Sequence, residues 1–401
     1  MRCVTTTPPT TADITSAYDV ADLRSAFPGL DPALARFDGP GGSLVPAAVA
    51  DAVADMLRAG VCQRGGPTAV GRLADETVLA ARAAIARFVG LADPRGVVFG
   101  RSMTAVTFDM ARTLAQDWGP GDEVVVTRLD HDANIRPWVV AAERAGATVR
   151  WLGFDPVTAE LDDVAPLLTE RTRLVAVTAA SNLFGTRPDV AGIARAAHEV
   201  GALVHVDAVH LAAHVPVDLE ALGADLLACS PYKFFGPHLG ALAADPALLE
   251  RLRPDKLLPS SDAVPERFEL GTLPYELLAG VTAAVEFAES WSMAAVEEHE
   301  RTLLTRLLDG LGAIEAVTVH GRPARRTPTV LVGVDGLAPA EVSRRLAERG
   351  VAAPAGSFYA LEASRHAGLG DEGGVRIGLA AYTTAGEVDL LLEAIEAVAG
   401  E

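Results

Sequence analysis

A regular alternation of short, β-branched apolar runs with helical patterns constrains this chain more than any other feature. Runs at 97–99, 123–127, 148–153, 174–178, 203–207 and 226–229 alternate with helical periodicity at 137–145, 157–168 and 189–200. Strands that are apolar along their whole length are covered on both faces, and helices between them act as crossovers. The expectation is an α/β fold built on a mostly parallel sheet. Upstream, 46–57 reads as a helix with Pro46 at its first position, where the missing N–H costs nothing, and 73–89 as a longer amphipathic helix. Downstream, 274–310 reads as one long helix or a broken pair, 316–320 and 329–334 as strands, and 339–349 and 385–398 as helices, the pattern of a smaller α+β unit. The first dozen residues are rich in Thr and Pro and read as a loose arm. The expected division is an arm over 1–30 that packs on the small unit, a large unit over 31–275 and a small unit over 276–401.

Composition narrows what such a fold is for. The 401 residues carry a formal charge of −19, which gives no electrostatic footprint for nucleic acid or anionic membrane. No stretch reaches the roughly 18 uninterrupted apolar residues of a membrane span, and the start lacks the apolar core of a signal peptide, so a cytoplasmic protein is expected. Cys3, Cys62 and Cys229 are too widely spaced for a disulfide framework or a metal knuckle. His210 and His214 lack the glutamate of a zinc-binding helix between them and read as a helix-face pair, so no metal is expected. The basic residues are 32 arginines and only two lysines, Lys233 and Lys256, so a retained lysine calls for an explanation.

In open parallel α/β sheets ligands bind beyond the carboxyl ends of the strands, so the residues that follow each run are the candidates. After 97–99 comes Gly100-Arg101-Ser102-Met103-Thr104, a turn that opens a helix; it suits either a phosphate cradle or ordinary N-capping. No glycine fingerprint of a dinucleotide or nucleoside-triphosphate loop is present. After 123–127 comes His131 in Asp130-His131-Asp132-Ala133-Asn134, and after 174–178 comes Asn182 in a segment that an Asx turn also explains. Asp207 ends a buried strand, where a carboxylate is costly without a cation or donors. After 226–229 comes Ser230-Pro231-Tyr232-Lys233-Phe234-Phe235, which places one of the two lysines between aromatic residues. Apolar surroundings lower an amine's pKa and make it a nucleophile or base. Together these supply the parts of a pyridoxal 5'-phosphate site: a phosphate cradle, a stacking ring, a donor, a carboxylate for the pyridine nitrogen and an amine.

The order and spacing of these motifs resemble the class V aminotransferase family of fold-type I pyridoxal phosphate enzymes. Asp207-Ala208-Val209-His210 and Ser230-Pro231-Tyr232-Lys233-Phe234-Phe235-Gly236-Pro237-His238 are especially similar to cysteine desulfurase-like members, and the likeness starts near Phe37-Asp38-Gly39-Pro40-Gly41-Gly42. The resemblance implies a large unit with a seven-stranded sheet and a smaller C-terminal unit. It implies that Lys233 joins the cofactor and moves the substrate Cα proton, that Asp207 pairs with the pyridine nitrogen, and that His131 stacks on the ring. Asn182 and His210 would sit near the phenolic oxygen, with His210 in the place of a usual glutamine. Ser102, Met103, Thr104 and Ser230 would hold the phosphate, with Tyr232 beside the cofactor. Met103 stands where the family's turn usually carries threonine.

Phe268-Glu269-Leu270-Gly271-Thr272 resembles the segment that enters the neighbouring subunit's site, which implies a homodimer with shared sites and Thr272 on the partner's phosphate. Val375-Arg376-Ile377-Gly378 resembles the segment whose arginine holds the α-carboxylate of a small amino-acid substrate, and Tyr359 and Arg64 are expected near the substrate. The stretch 350–360 carries no cysteine where desulfurases carry their sulfur acceptor. The expected reaction is therefore β-elimination from cysteine or a cysteine conjugate, a C–S lysis. Epimerisation and transamination are the alternatives within the family, and a catalytically silent scaffold relative is the alternative outside catalysis.

Overall fold

The computed structural model describes residues 18–401. Seven strands form the central sheet in the order Val97–Gly100, Gly240–Ala244, Leu226–Cys229, Leu203–Asp207, Thr172–Thr178, Glu123–Thr127, Thr148–Leu152. Only Gly240–Ala244 runs antiparallel to its neighbours, so the other six share one direction and one carboxyl edge. This odd strand escaped the sequence reading because Gly-Ala-Leu-Ala-Ala has no β-branched residue; burial between two neighbours, not propensity, makes it a strand.

Alternate residues of the strands face opposite layers. Val125, Val175, Val177, Val204 and Val206 pack with the Ala69–Phe88 and Tyr275–Glu289 helices, while Val124, Val126, Leu174 and Ala176 pack with the Met103–Leu114 and Arg136–Ala145 helices. Each such fully buried aliphatic side chain contributes about 1.5–3 kcal/mol. The core therefore holds the sheet between both layers and fixes where its strand ends lie.

The helix expected over 157–168 does not form. Asp155 accepts from the Val157 and Thr158 N–H groups at 2.8 Å, Ala159 turns left-handed, and only Ala165–Leu167 makes one 3-10 turn around Pro166. A side chain that satisfies the backbone locally competes with the helix, and proline removes a further donor. The 274–310 stretch is a broken pair, Tyr275–Glu289 and Met293–Gly312, with Ser292 capping the second helix.

The small unit is a four-stranded sheet, Ala355–Gly356, Gly374–Gly378, Thr329–Val334 and Val317–His320, covered by the Met293–Gly312, Pro339–Ala347 and Ala385–Ala399 helices. Its core also takes Ala35 and Phe37, because Ala35–Arg36 pairs in parallel with Val351–Ala352. A boundary at residue 31 thus assigns to the large unit a segment that packs in the small one. Of the expected arm, 1–17 lie outside the described residues. The Val20–Ser25 helix places Leu23 beside Phe27, Tyr382 and Ala381, and Arg24 pairs with Glu387 at 3.0 Å. The segment 38–43 then returns to the large unit, where Ser43 N–H donates to the Tyr232 carbonyl at 3.0 Å and Ser43 Oγ accepts from Phe235 N–H at 2.6 Å.

Candidate active site

The parallel strands end at one edge, and a cavity of about 700 Å³ opens there against the small unit. Asp207 closes its strand, Thr178 closes the neighbouring one, Ser230 follows Leu226–Cys229 and His131 follows Glu123–Thr127; all four line the cavity. Lys233 reaches it from the 3-10 turn Pro231–Lys233. The small unit contributes Phe358, Tyr359 and Arg376.

Lys233 is largely removed from water. Its amine donates to the Pro40 carbonyl and lies 4.8 Å from the centre of the Tyr232 ring. Burial, helped by the nearby Arg376 charge and opposed by Asp207, brings the amine down to about 7. A neutral, nucleophilic amine is thus available near neutral pH. Burial pushes the Asp207 carboxyl up to about 6, against the Val209 N–H at 2.9 Å and the positive Lys233. The two groups face one cavity without an ion pair between them.

His131 accepts the Ala133 N–H at 3.0 Å on Nδ1, so the proton of the neutral ring is on Nε2. Burial, and then the charge of Lys233, lower its pKa to about 4, which keeps the ring neutral. The loop is anchored from below by Asp130, which sequence reading passed over. Asp130 accepts from the Thr127 hydroxyl, from Asn134 Nδ2 at 2.6 Å and from Thr178 N–H at 3.1 Å.

Ser102 caps the Met103–Leu114 helix through Ala105 N–H at 3.1 Å, which realises the capping alternative. Capping does not exclude an anion. Met103 and Thr104 hold first-turn N–H groups beyond the reach of any intrahelical carbonyl, and both residues line the cavity. The turn sits directly on Gly240, where a Cβ would fall 2.1 Å from the Ser102 carbonyl carbon and 2.2 Å from the Met103 nitrogen. Glycine at the start of the odd antiparallel strand is what lets this helix end seat at the sheet edge.

On the opposite wall, Arg376 is 4% exposed and stacks on Phe358, its guanidinium carbon 3.7 Å from the ring centroid. It donates to the Asn182 carbonyl at 3.1 Å, its Nε has no partner, and no carboxylate among the described residues pairs with it. Burial lowers its pKa to about 9. An uncompensated buried cation beside an open cavity calls for an anionic ligand. Asn182 donates through Nδ2 to the Phe358 carbonyl at 3.0 Å and leaves Oδ1 buried without a partner.

His210 lines the cavity, and its Nε2 lies 3.0 Å from the Thr327 hydroxyl and 3.1 Å from that of Thr329. His214 is turned away onto Glu300 at 3.0 Å, so the two histidines make separate bonds at either end of a 3-10 turn, Leu211–Ala213, and not on an α-helix face. The structure leaves two expected residues outside the cavity. Thr272 is exposed in an adjoining hollow that shares Ser102, Thr104 and Phe108 with the main one. Arg64 is committed elsewhere, to Asp75 at 3.0 Å and Glu266 at 3.6 Å, and does not reach the cavity of its own chain. Cys229 is buried with its thiol pushed up to about 12, chiefly by desolvation, and Cys62 is exposed; neither lines the cavity.

Sequence reading missed Pro40, Phe108, Thr178, Arg136 and Phe358 as lining residues. Phe358, next to Tyr359, and Pro40, in a glycine-rich turn, each stood in a segment already singled out. Thr178 had the signal of a strand end. Phe108 and Arg136 carried none.

The residues present fit pyridoxal phosphate: unspent N–H donors for a phosphate, a carboxyl at a strand end, a desolvated amine and orphaned polar atoms at Asn182 and Arg376. Comparison with known proteins agrees. Residues 36–391 match the model of the family described as aminotransferase class-V. An uncharacterized protein of Mycobacterium tuberculosis is 33% identical over 94% of this chain and 99% of its own length. A probable cysteine desulfurase of Halalkalibacterium halodurans is 31% identical over 94% of this chain and 97% of its own. The crystal structure of the Escherichia coli cysteine desulfurase CsdA superposes with a TM-score of 0.86 at 28% identity, covering 95% of this chain and 98% of that one.

Proposed function

This chain belongs to the class V aminotransferase family and is a pyridoxal 5'-phosphate-dependent enzyme of the fold-type I class, and on that premise we propose that it cleaves the C–S bond of cysteine or a cysteine conjugate by β-elimination. One observation carries the proposal. A desolvated lysine, a buried carboxyl and an uncompensated arginine line one cavity, with no thiol among its lining residues. The first three suit an α-amino acid, and with no thiol among the described residues that line the cavity, release of a thiol is favoured over transfer of a sulfur atom to the protein.

The bound cofactor supplies an electron-withdrawing ring that acidifies the Cα–H bond of an attached amino acid. The chain's own residues do the rest. Arg376 receives the α-carboxylate through its planar fork, held in plane by Phe358. Lys233 Nζ, lowered to about 7 and so in part unprotonated at neutral pH, would take the Cα proton. Asp207 would hold negative charge against the ring nitrogen, and the N–H groups of Met103 and Thr104, with Ser102 and Ser230, would hold the phosphate. Neutral His131 would cover the ring face, and Asn182 and His210 would stand by the phenolic oxygen. Breaking Cβ–S releases a thiolate with the bonding electron pair, and the proton taken at Cα is available to it.

In the same reading the chain forms a homodimer, and Thr272 completes the phosphate site of the partner. Exposed Leu270 and Thr272, together with the adjoining hollow of about 930 Å³, support it. Sedimentation that gives a monomer at micromolar concentration would overturn this part. No helix among the described residues is long and apolar enough to cross a membrane.

Product analysis of the holoenzyme with S-substituted L-cysteine tests the reaction. Pyruvate, ammonia and free thiol in equal amounts are expected. Unchanged mass with inverted Cα would make it an epimerase, and conversion of the cofactor to its amine form would make it an aminotransferase; either result sinks the lyase reading. A protein that binds no cofactor at all would be a silent scaffold.

A further inference from the structure

We propose that Phe358 and Tyr359 form an aromatic wall that selects substrates with a bulky, uncharged substituent on the side chain; this rests on the amino-acid reading above and names the class of substrate. Both residues adopt left-handed backbone, φ +53° and +59°, a conformation that aromatic side chains rarely take. Two clamps hold it. Asn182 Nδ2 donates to the Phe358 carbonyl at 3.0 Å, and the Asp132 N–H donates to the Tyr359 carbonyl at 2.7 Å. Both donors come from residues that line the cavity, so the strained pair is fastened to the site and not to the surface around it.

The clamp turns the two rings to different tasks. Phe358 backs the Arg376 guanidinium, its ring centroid 3.7 Å from the guanidinium carbon, and so limits where that cation can receive a carboxylate. Tyr359 is 77% exposed at the mouth, its ring centroid 5.5 Å from that of His131, and its hydroxyl has no hydrogen-bond partner among the described residues. A large ring left uncovered beside the reacting centre is surface that a substrate side chain can bury. With the carboxylate on Arg376 and the Cα hydrogen towards Lys233, the side chain is left the rest of the cavity, of which this wall is part. A thiol covers little of it, whereas an aryl or long alkyl thioether covers much.

Charge at the mouth argues for an uncharged substituent. Arg136 also lines the cavity, but Asp132 holds it at 3.0 Å and Glu362 lies at 4.0 Å. No free counter-charge is left there for an acidic side chain, and the buried Arg376 cation disfavours a basic one.

The test is titration of the holoenzyme with L-alanine, S-methyl-, S-benzyl- and S-carboxymethyl-L-cysteine, following the cofactor's absorbance for Kd and product formation for kcat and KM. S-benzyl is expected to bind about tenfold tighter than S-methyl, and S-carboxymethyl no tighter than S-methyl. Tyr359→Ala should erase the benzyl-over-methyl ratio through KM, and Tyr359→Phe should keep it. A flat series in the wild type, or a ratio that survives Tyr359→Ala, overturns the wall. L-alanine separates the two readings. If it perturbs the cofactor band while the thioether series is flat, only the wall is wrong. If it and every conjugate are silent, the amino-acid reading falls and the wall with it.

Discussion

The two walls of the cavity are built on opposite principles. The cofactor-side wall is a set of strand ends: Asp207, Thr178, Ser230 and the His131 loop are placed by a sheet whose neighbouring strands are packed on both faces. None of these residues has a positive φ, and burial shifts both Asp207 and His131 towards their neutral forms. The substrate-side wall comes from short elements of the small unit. There Phe358 and Tyr359 are held left-handed by two hydrogen bonds, and Arg376 is a buried cation stacked on one of those rings. Rigid strand ends suit groups that must stay fixed in any reaction of this chemistry. The strained loop on the smaller sheet presents aromatic rings to the cavity.

If the cofactor-side wall carries the chemistry, Lys233→Ala should produce the largest loss. Turnover is expected to fall about a thousandfold or more, with the visible absorbance of lysine-bound cofactor abolished. Retention of that absorbance would place the reactive amine elsewhere. Arg376→Ala on the opposite wall should fall mainly on KM, by about 10–100-fold, since a charge-assisted bond to carboxylate is worth about 1.5–3 kcal/mol. An amine substrate that lacks the carboxylate should barely notice the change; equal losses on both would remove Arg376 from carboxylate binding.

A pH test sharpens the contrast. In cofactor-free protein the neutral form of Lys233 reacts with an amine reagent, so with the amine lowered to about 7 its labelling should rise between pH 6 and 8, not near the ordinary value of 10.5. The same depression has a stability consequence of definite sign. Between about 7 and 10.5 the unfolded chain binds a proton at this site that the folded chain does not, so the stability of the cofactor-free protein gained from this group rises with pH across that window. Lys233→Met should remove this slope. The smallest effect belongs to the strained loop. Tyr359→Gly should be about 1 kcal/mol more stable than Tyr359→Ala in thermal unfolding, because glycine meets no penalty at φ +59°. Equal stability would mean that the loop stores no strain.

Much of the cofactor side was legible in sequence because its residues lie within a few positions of apolar runs that announce their strands. Asp207, Ser230 and Lys233 can be placed by counting from 203–207 and 226–229. Where reading failed, the deciding term was not local. Gly240–Ala244 is a strand by burial alone, and 157–168 lost its helix to the Asp155 side chain and Pro166. Arg64 looked available among 32 arginines until its carboxylate partners were known.

By itself the sequence determined the α/β alternation and the set of groups that follow the strands, and the scarcity of lysine singled out Lys233 as the candidate amine. These follow from periodicity and residue chemistry, which act over a few positions. Tertiary structure alone decided that Arg376 is buried without a carboxylate, that Phe358 lies beneath it, that Pro40 meets Lys233, and that the Ser102 turn rests on Gly240. Each joins segments far apart in the chain. Desolvation, stacking and steric fit depend on which surfaces meet, and only folding brings those surfaces together.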